Sequence, residues 1–139
     1  MYYISKKFEF AASHALCLDY ESKCSRIHGH NYVVEIFCKN SDLDRNGMVV
    51  DFKHIKEKVF DKLDHKHLND VLPFNPTSEN IARWICEQIP YCYKVTVEET
   101  TGNLIGIVAD KTTGEPVPVV NLVLTPGGKS TVTGSDGSF

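Results

Sequence analysis

Polar and apolar positions alternate with a period of two from Lys7 to His14, where Phe8, Phe10, Ala12 and His14 share one parity. That period predicts a half-buried strand that delivers His14 at its end. Asn31–Lys39 is a second stretch of this kind, β-branched and aromatic, running out of His28-Gly29-His30. After the short apolar run Met48-Val49-Val50 the period lengthens. Phe52, Ile55, Val59, Phe60 and Leu63 recur at helical spacing behind Asp51, a residue type suited to a helix N-cap. This helix is expected to end within Asp64–Asn69, ahead of Pro73. A second helix is expected from Thr77-Ser78, with Thr77 as cap and Glu79 complementing the dipole in the first turn. Ile81, Trp84, Ile85 and Ile89 form its buried stripe, and Pro90 stops it. Tyr93–Glu99 returns to alternation, with Tyr93, Val95, Val97 and Glu99 on one face and Lys94, Thr96 and Glu98 on the other. The order β-β-α-α-β, with room for one more strand after residue 103, predicts an α+β fold: an antiparallel sheet with two helices on one face.

Composition divides the chain near residue 103. All six histidines, all five cysteines and the single tryptophan precede that point. The remaining 36 residues hold six of the nine glycines and three of the six prolines, the kind of shift that marks a domain or linker boundary. In this tail Gly127-Gly128, Gly134 and Asp136-Gly137 punctuate short β-branched runs such as Val117–Leu124 and Ser130–Thr133. A net charge of -3 and the lack of a Lys/Arg cluster give no case for nucleic acid. No apolar run is long enough to span a membrane, and Met1–Lys7 lacks the basic-then-apolar order of a secretion signal. Cys17, Cys24, Cys38, Cys86 and Cys92 are an odd set without framework spacing, so free thiols in a reducing cytoplasm are expected.

The chemistry concentrates in the first 103 residues. His28 and His30, at i and i+2 on an extended segment, project to one face, and His14 offers a third imidazole. Three neutral nitrogens suit Zn²⁺ and leave one tetrahedral position open, as in catalytic zinc sites. Spacing alone weighs this evenly against polar residues beside a turn. Cys24 has Lys23, Arg26 and a possible metal for neighbours, surroundings of the kind that activate a thiol, whereas Cys38 and Cys86 read as core filler. Asp64-His65 pairs a carboxylate with an imidazole, as general acid–base work needs, or is a solvated helix end. Glu99 shares parity with Val95 and Val97, so it either meets a ligand with paired N–H donors or ends its strand in water. His54 falls on the polar face of the first helix.

Residues 1–103 resemble the 6-pyruvoyl-tetrahydropterin synthase family, and within it the 6-carboxy-tetrahydropterin synthase branch of queuosine (7-deazaguanine) biosynthesis. The resemblance rests on Phe10-Ala11-Ala12-Ser13-His14, Cys24-x3-His28-Gly29-His30-Asn31-Tyr32 and Val49-Val50-Asp51-Phe52. It continues through Leu63-Asp64-His65-x2-Leu68-Asn69, Pro76-Thr77-x-Glu79-Asn80 and Val97-x-Glu99-Thr100. It implies Zn²⁺ on His14, His28 and His30, a proton relay of Cys24 with Asp64 and His65, and substrate binding by Glu99, which anchors the pterin, with Thr77 and Glu79. It also implies a pterin triphosphate substrate, 7,8-dihydroneopterin triphosphate, and a cytoplasmic homo-oligomer. The fold implied is the tunnelling fold, whose sheets close into a barrel across subunits, usually as a hexamer of two trimers with pockets between chains. The three-residue gap from Cys24 to His28 resembles the carboxy branch rather than the pyruvoyl synthases, the sibling alternative. A non-catalytic pterin-binding metalloprotein is the alternative of another class. The tail, residues 104–139, departs from the family and resembles the first half of a carboxypeptidase-regulatory-like β-sandwich. Within it, Leu104–Ala109 is expected to supply a last strand, and residues from about 112 onward to be flexible.

Overall fold

The computed structural model describes residues 1–100, 112–113, 121–124 and 129–132. The chain divides into two compact units, Met1–Asn103 and Leu104–Phe139. In the first, β1 (Tyr2–His14) and β2 (His28–Asn40) form a long antiparallel pair whose register runs from Tyr2 opposite Asn40 to His14 opposite His28. β3 (Lys66–His67) pairs in parallel with Ala12 and Ser13, and β4 (Cys92–Glu99) pairs antiparallel with β2, giving the order β3-β1-β2-β4. The sheet is therefore mixed rather than wholly antiparallel. The exception is one two-residue pair, formed because the chain after the first helix returns along the outer edge of β1.

Phe52–Ile55 (α1), a π-helical turn at Lys56–Phe60 and Asp61–Leu63 (α2) form the first helix, and Asp51 caps it through a bond from the Lys53 N–H. Its buried residues, Ile55, Val59 and Leu63, are each four apart. A regular α-helix rotates such a row by about 40° per step. The wider π turn takes up that drift and holds all three against the sheet. Phe52, expected in the buried stripe, is instead 42% exposed at the start of the helix. The helix stops at Leu63, at the near end of the expected range; β3 and a single turn, Leu68–Val71 (α3), follow. The second long helix, Ser78–Gln88 (α4), is capped by Thr77 Oγ1 accepting from the Asn80 N–H.

The core lies between the helices and one sheet face. Phe10, Ala12, Tyr32, Val34, Ile36 and Cys38 supply the sheet side, and Ile55, Val59, Leu63, Leu68, Ile81 and Ile85 the helix side. Phe10 and Tyr32 stack at 5.0 Å between ring centroids. A register shift at Phe37/Cys38 breaks the alternation in β4. Tyr93, expected beside Val95, therefore packs on Tyr3 and Phe37 on the opposite face, while Val95 and Val97 stay on the core.

In the second unit Asn121–Leu124 (β5) and Lys129–Val132 (β6) form an antiparallel hairpin. The expectations of a strand at Leu104–Ala109 and of flexibility from residue 112 fall largely outside the described residues. Among the described residues, no helix is long and apolar enough to cross a membrane.

Candidate functional site

The β1–β2 register builds the site one rung at a time. His14 lies opposite His28, Ala12 opposite His30, and Phe10 opposite Tyr32, which on its other side faces Glu99 of β4. Facing pairs share a sheet face. The three imidazoles consequently meet at the end of the core, with ring centroids 4.5, 4.8 and 5.1 Å apart. His14 is fully buried, and His28 and His30 are half-buried.

Each imidazole uses its Nδ1 on a backbone carbonyl: His14 on Pro76 at 2.8 Å, His28 on Arg26 at 2.7 Å and His30 on Thr100 at 3.1 Å. A carbonyl only accepts, so each Nδ1 carries the proton and each Nε2 keeps a lone pair. One nitrogen from each ring lies within 4.8 Å of the others, and the Nε2 atoms of His14 and His28 are 3.0 Å apart. The Nε2 of His30 is buried with no hydrogen-bond partner among the described residues. Three converging lone pairs, each oriented by a carbonyl behind it, form a donor set suited to a metal ion. Burial holds the His14 pKa below its ordinary value, opposed by the Pro76 carbonyl and the Glu99 charge and helped by His28 and His30, which favours the neutral, ligating form. The Tyr32 hydroxyl lies 3.1 Å from His14 Nδ1, and burial, then Glu99, push its ionisation far up, so it stays a neutral phenol.

Glu99 stands beside this triad. One carboxylate oxygen accepts a 2.7 Å bond from Ser78 Oγ at the start of α4, and the other is 3.6 Å from His30 Nε2. Thr77 is occupied as the cap of α4, and Glu79 is exposed in its first turn. Ser78, between them, is the residue that touches Glu99; at a helix start it reads as a capping type and carries no signal of this role. Thr100 folds back to bond Asn31 through both its N–H and its hydroxyl, which fixes the carbonyl facing His30.

Asp64 and His65 form a pair with Oδ2 to Nδ1 at 2.8 Å. The other Asp64 oxygen accepts from the Ala11 N–H, and the His65 N–H donates to the Ala11 carbonyl at 2.7 Å. His65 has φ 56, a left-handed conformation that few side-chain-bearing residues adopt, and its side chain is 72% exposed. Cys24 sits half-buried on a 3-10 turn, Lys23–Ser25, with Ser22 Oγ accepting from its N–H and its carbonyl accepting from Leu16. Asn69 and Asn75 each pair doubly with the backbone, of Ala15 and Cys17, and so pin the loop entering that turn. Among the described residues no hydrogen bond or ion pair joins Cys24 to Asp64 or His65.

Asp64–His65 flank β3 and Glu99 ends β4, on opposite edges of the sheet. Three strand spacings separate those edges, on the order of 14 Å. One chain therefore places Glu99 with the histidine triad and sets half-buried Asp64 and exposed His65 at the other edge.

Comparison with known proteins bears on this arrangement. Residues 3–110 match the family described as 6-pyruvoyl tetrahydropterin synthase. The chain is similar to a 6-carboxy-5,6,7,8-tetrahydropterin synthase of Synechocystis, 38% identical over 72% of this chain and 88% of that one. It is also similar to the 6-pyruvoyl tetrahydrobiopterin synthase of Dictyostelium discoideum, 34% identical over 73% of this chain and 92% of that one. Among solved structures, the 6-pyruvoyl tetrahydropterin synthase of Caenorhabditis elegans superposes with a TM-score of 0.57 at 30% identity, covering 71% of this chain and 89% of that one.

Proposed function

The chain belongs to the 6-pyruvoyl tetrahydropterin synthase family, and from that premise we propose that it is a zinc-dependent carbon–carbon lyase of the 6-carboxy-tetrahydropterin synthase branch. Its substrates would be 7,8-dihydroneopterin triphosphate and one water, and its products 6-carboxy-5,6,7,8-tetrahydropterin, acetaldehyde and triphosphate, in the route to queuosine. The observation that carries the reading is the convergence of three Nε2 lone pairs next to the Glu99 carboxylate. Relatives of similar identity bear both product names. The choice between them rests on the short Cys24-x3-His28 gap.

His14, His28 and His30 would hold the ion, which when bound supplies a Lewis acid that acidifies the substrate's side-chain hydroxyls and polarises the developing carbonyl. Glu99, a paired acceptor steadied by Ser78, grips the 2-amino and N3–H edge of the pterin. The Cys24 thiolate takes a proton from the side chain of the substrate, and His65, oriented by Asp64, returns and relays protons. Cys24, Glu99 and the triad of one subunit meeting Asp64–His65 of another would complete the pocket in a homo-oligomer, a hexamer of two trimers in the form the family resemblance implies.

Incubating the zinc-loaded protein with dihydroneopterin triphosphate and assaying acetaldehyde tests this. Acetaldehyde formed in step with triphosphate supports the reading; triphosphate release without acetaldehyde assigns the chain to the pyruvoyl branch. In Cys24→Ala the expected loss of turnover is about 10²–10⁴-fold with metal retained. Undiminished turnover would remove the cysteine from the relay, and no turnover in the wild type would favour a binding protein.

A further inference from the structure

Away from this site the fold brings together sulfur atoms for which the proposed reaction has no use. Cys86 lies in the last turn of α4 and Cys92 opens β4, and their Sγ atoms are 2.9 Å apart. Cys38 of β2 is the register partner of Cys92 and is 1% exposed, while Cys86 and Cys92 are half-buried. The corner between the two elements is firmly built. The Ile89 N–H donates to Cys86, the Cys92 N–H donates to Ile89, and the carbonyl of Tyr91, itself at φ 62, accepts from Lys39 of β2. Gln88 Nε2 returns to the Trp84 carbonyl. A disulfide needs about 2.05 Å between sulfurs. The two sulfurs already stand within about 1 Å of that length.

We infer that Cys86 and Cys92 are a disulfide-forming pair, a redox modification site that peroxide converts to a bond between the end of α4 and the start of β4. Cys86 Sγ attacks one peroxide oxygen and the O–O bond breaks, giving a sulfenic acid and water. Cys92 Sγ then attacks the Cys86 sulfur; the S–S bond forms, the S–O bond breaks, and the hydroxyl leaves as water with the Cys92 proton. In sum, two thiols and one hydrogen peroxide give one disulfide and two waters. Burial first, then the hydrogen bond with Cys86, pushes the Cys92 thiol up to about 12, so Cys86 rather than Cys92 meets the peroxide first. Burial also pushes up the Cys38 thiol, and at 1% exposure Cys38 is the least accessible of the three sulfurs to peroxide.

Bond formation ties together α4 and β4, the two elements whose other ends carry Ser78 and Glu99.

The sequence makes the test clean. Cleavage after Lys and Arg leaves Cys86 and Cys92 alone together in Trp84–Lys94, while Cys38 falls in Ile27–Lys39, Cys24 in Cys24–Arg26 and Cys17 in Phe8–Lys23. The full-length protein is treated with hydrogen peroxide, alkylated, digested and weighed. The expected product is a Trp84–Lys94 peptide lighter by two hydrogens and free of label, doubly labelled again after dithiothreitol. Cys86→Ser abolishes that species, and the same treatment in guanidinium lowers its yield several-fold, because the fold and not chain proximity sets the pair. A peptide that stays doubly labelled, a cross-link between Ile27–Lys39 and Trp84–Lys94, or an equal yield in guanidinium would each overturn the inference.

Discussion

The Nε2 of His30 is buried without a hydrogen-bond partner among the described residues, which in a folded protein costs roughly 1–3 kcal/mol unless something else occupies the lone pair. The neighbouring Nε2 atoms of His14 and His28, 3.0 Å apart and both facing inward as acceptors, pose the same problem. A shared cation resolves all three at once, with the three carbonyls behind the rings holding the lone pairs toward it. In the sequence the i, i+2 spacing of His28 and His30 and the strand-end place of His14 were legible. The Pro76, Arg26 and Thr100 carbonyls were not, because every residue type supplies a carbonyl. Ser78 escaped for a related reason, since serine at a helix start is explained by capping alone. Removing its hydroxyl in Ser78→Ala should raise KM for the pterin substrate about tenfold, by loss of a hydrogen bond to a partly exposed charged group, with kcat less affected. Steady-state kinetics checks this, and an unchanged KM would mean that Glu99 needs no such support.

Element by element, alternation and helical spacing located β1, β2, both long helices and β4, because each buries one face against the same core. What they did not reveal arises where two elements adjust to each other. The π turn at Lys56–Phe60 realigns residues four apart, and the register shift at Phe37/Cys38 turns Tyr93 to the other face. Both depend on the partner surface rather than on the segment itself. β3 likewise exists because Ala12 and Ser13 offer an unpaired edge. The α4 stripe, by contrast, is plain in sequence, and Ile85 at its centre is fully buried. Ile85→Ala should cost about 2–5 kcal/mol, read as a lower denaturant midpoint in chemical unfolding. A shift below 0.5 kcal/mol, the range of surface changes, would show that α4 is not packed as described.

For the whole molecule, the sheet order β3-β1-β2-β4 sets Asp64–His65 and Glu99 on opposite edges, on the order of 14 Å apart. Under the proposed reading His65, with a side chain 72% exposed, serves a pocket on a neighbouring subunit. Sequence order hides this, since both residues sit in motifs that suggest a shared pocket. His65→Ala and Glu99→Ala should each be inactive alone. Mixed into common oligomers by co-expression, they should recover activity, because some interfaces then combine an intact His65 with an intact Glu99. No recovery would place the pocket inside one chain. The composition change near residue 103 coincides with the division between the two compact units, while the family match extends seven residues further, to 110. A chain ending at residue 110 should therefore keep metal and assembly, measured by metal content and light scattering.

Zinc K-edge X-ray absorption on the purified, zinc-loaded protein tests the metal centre most directly. Three histidine nitrogens and one solvent oxygen, all at about 2.0–2.1 Å and with no sulfur, are the expected shell, lost in His28→Ala. A sulfur at about 2.3 Å would instead make Cys24 a ligand rather than a base and contradict the open three-histidine site.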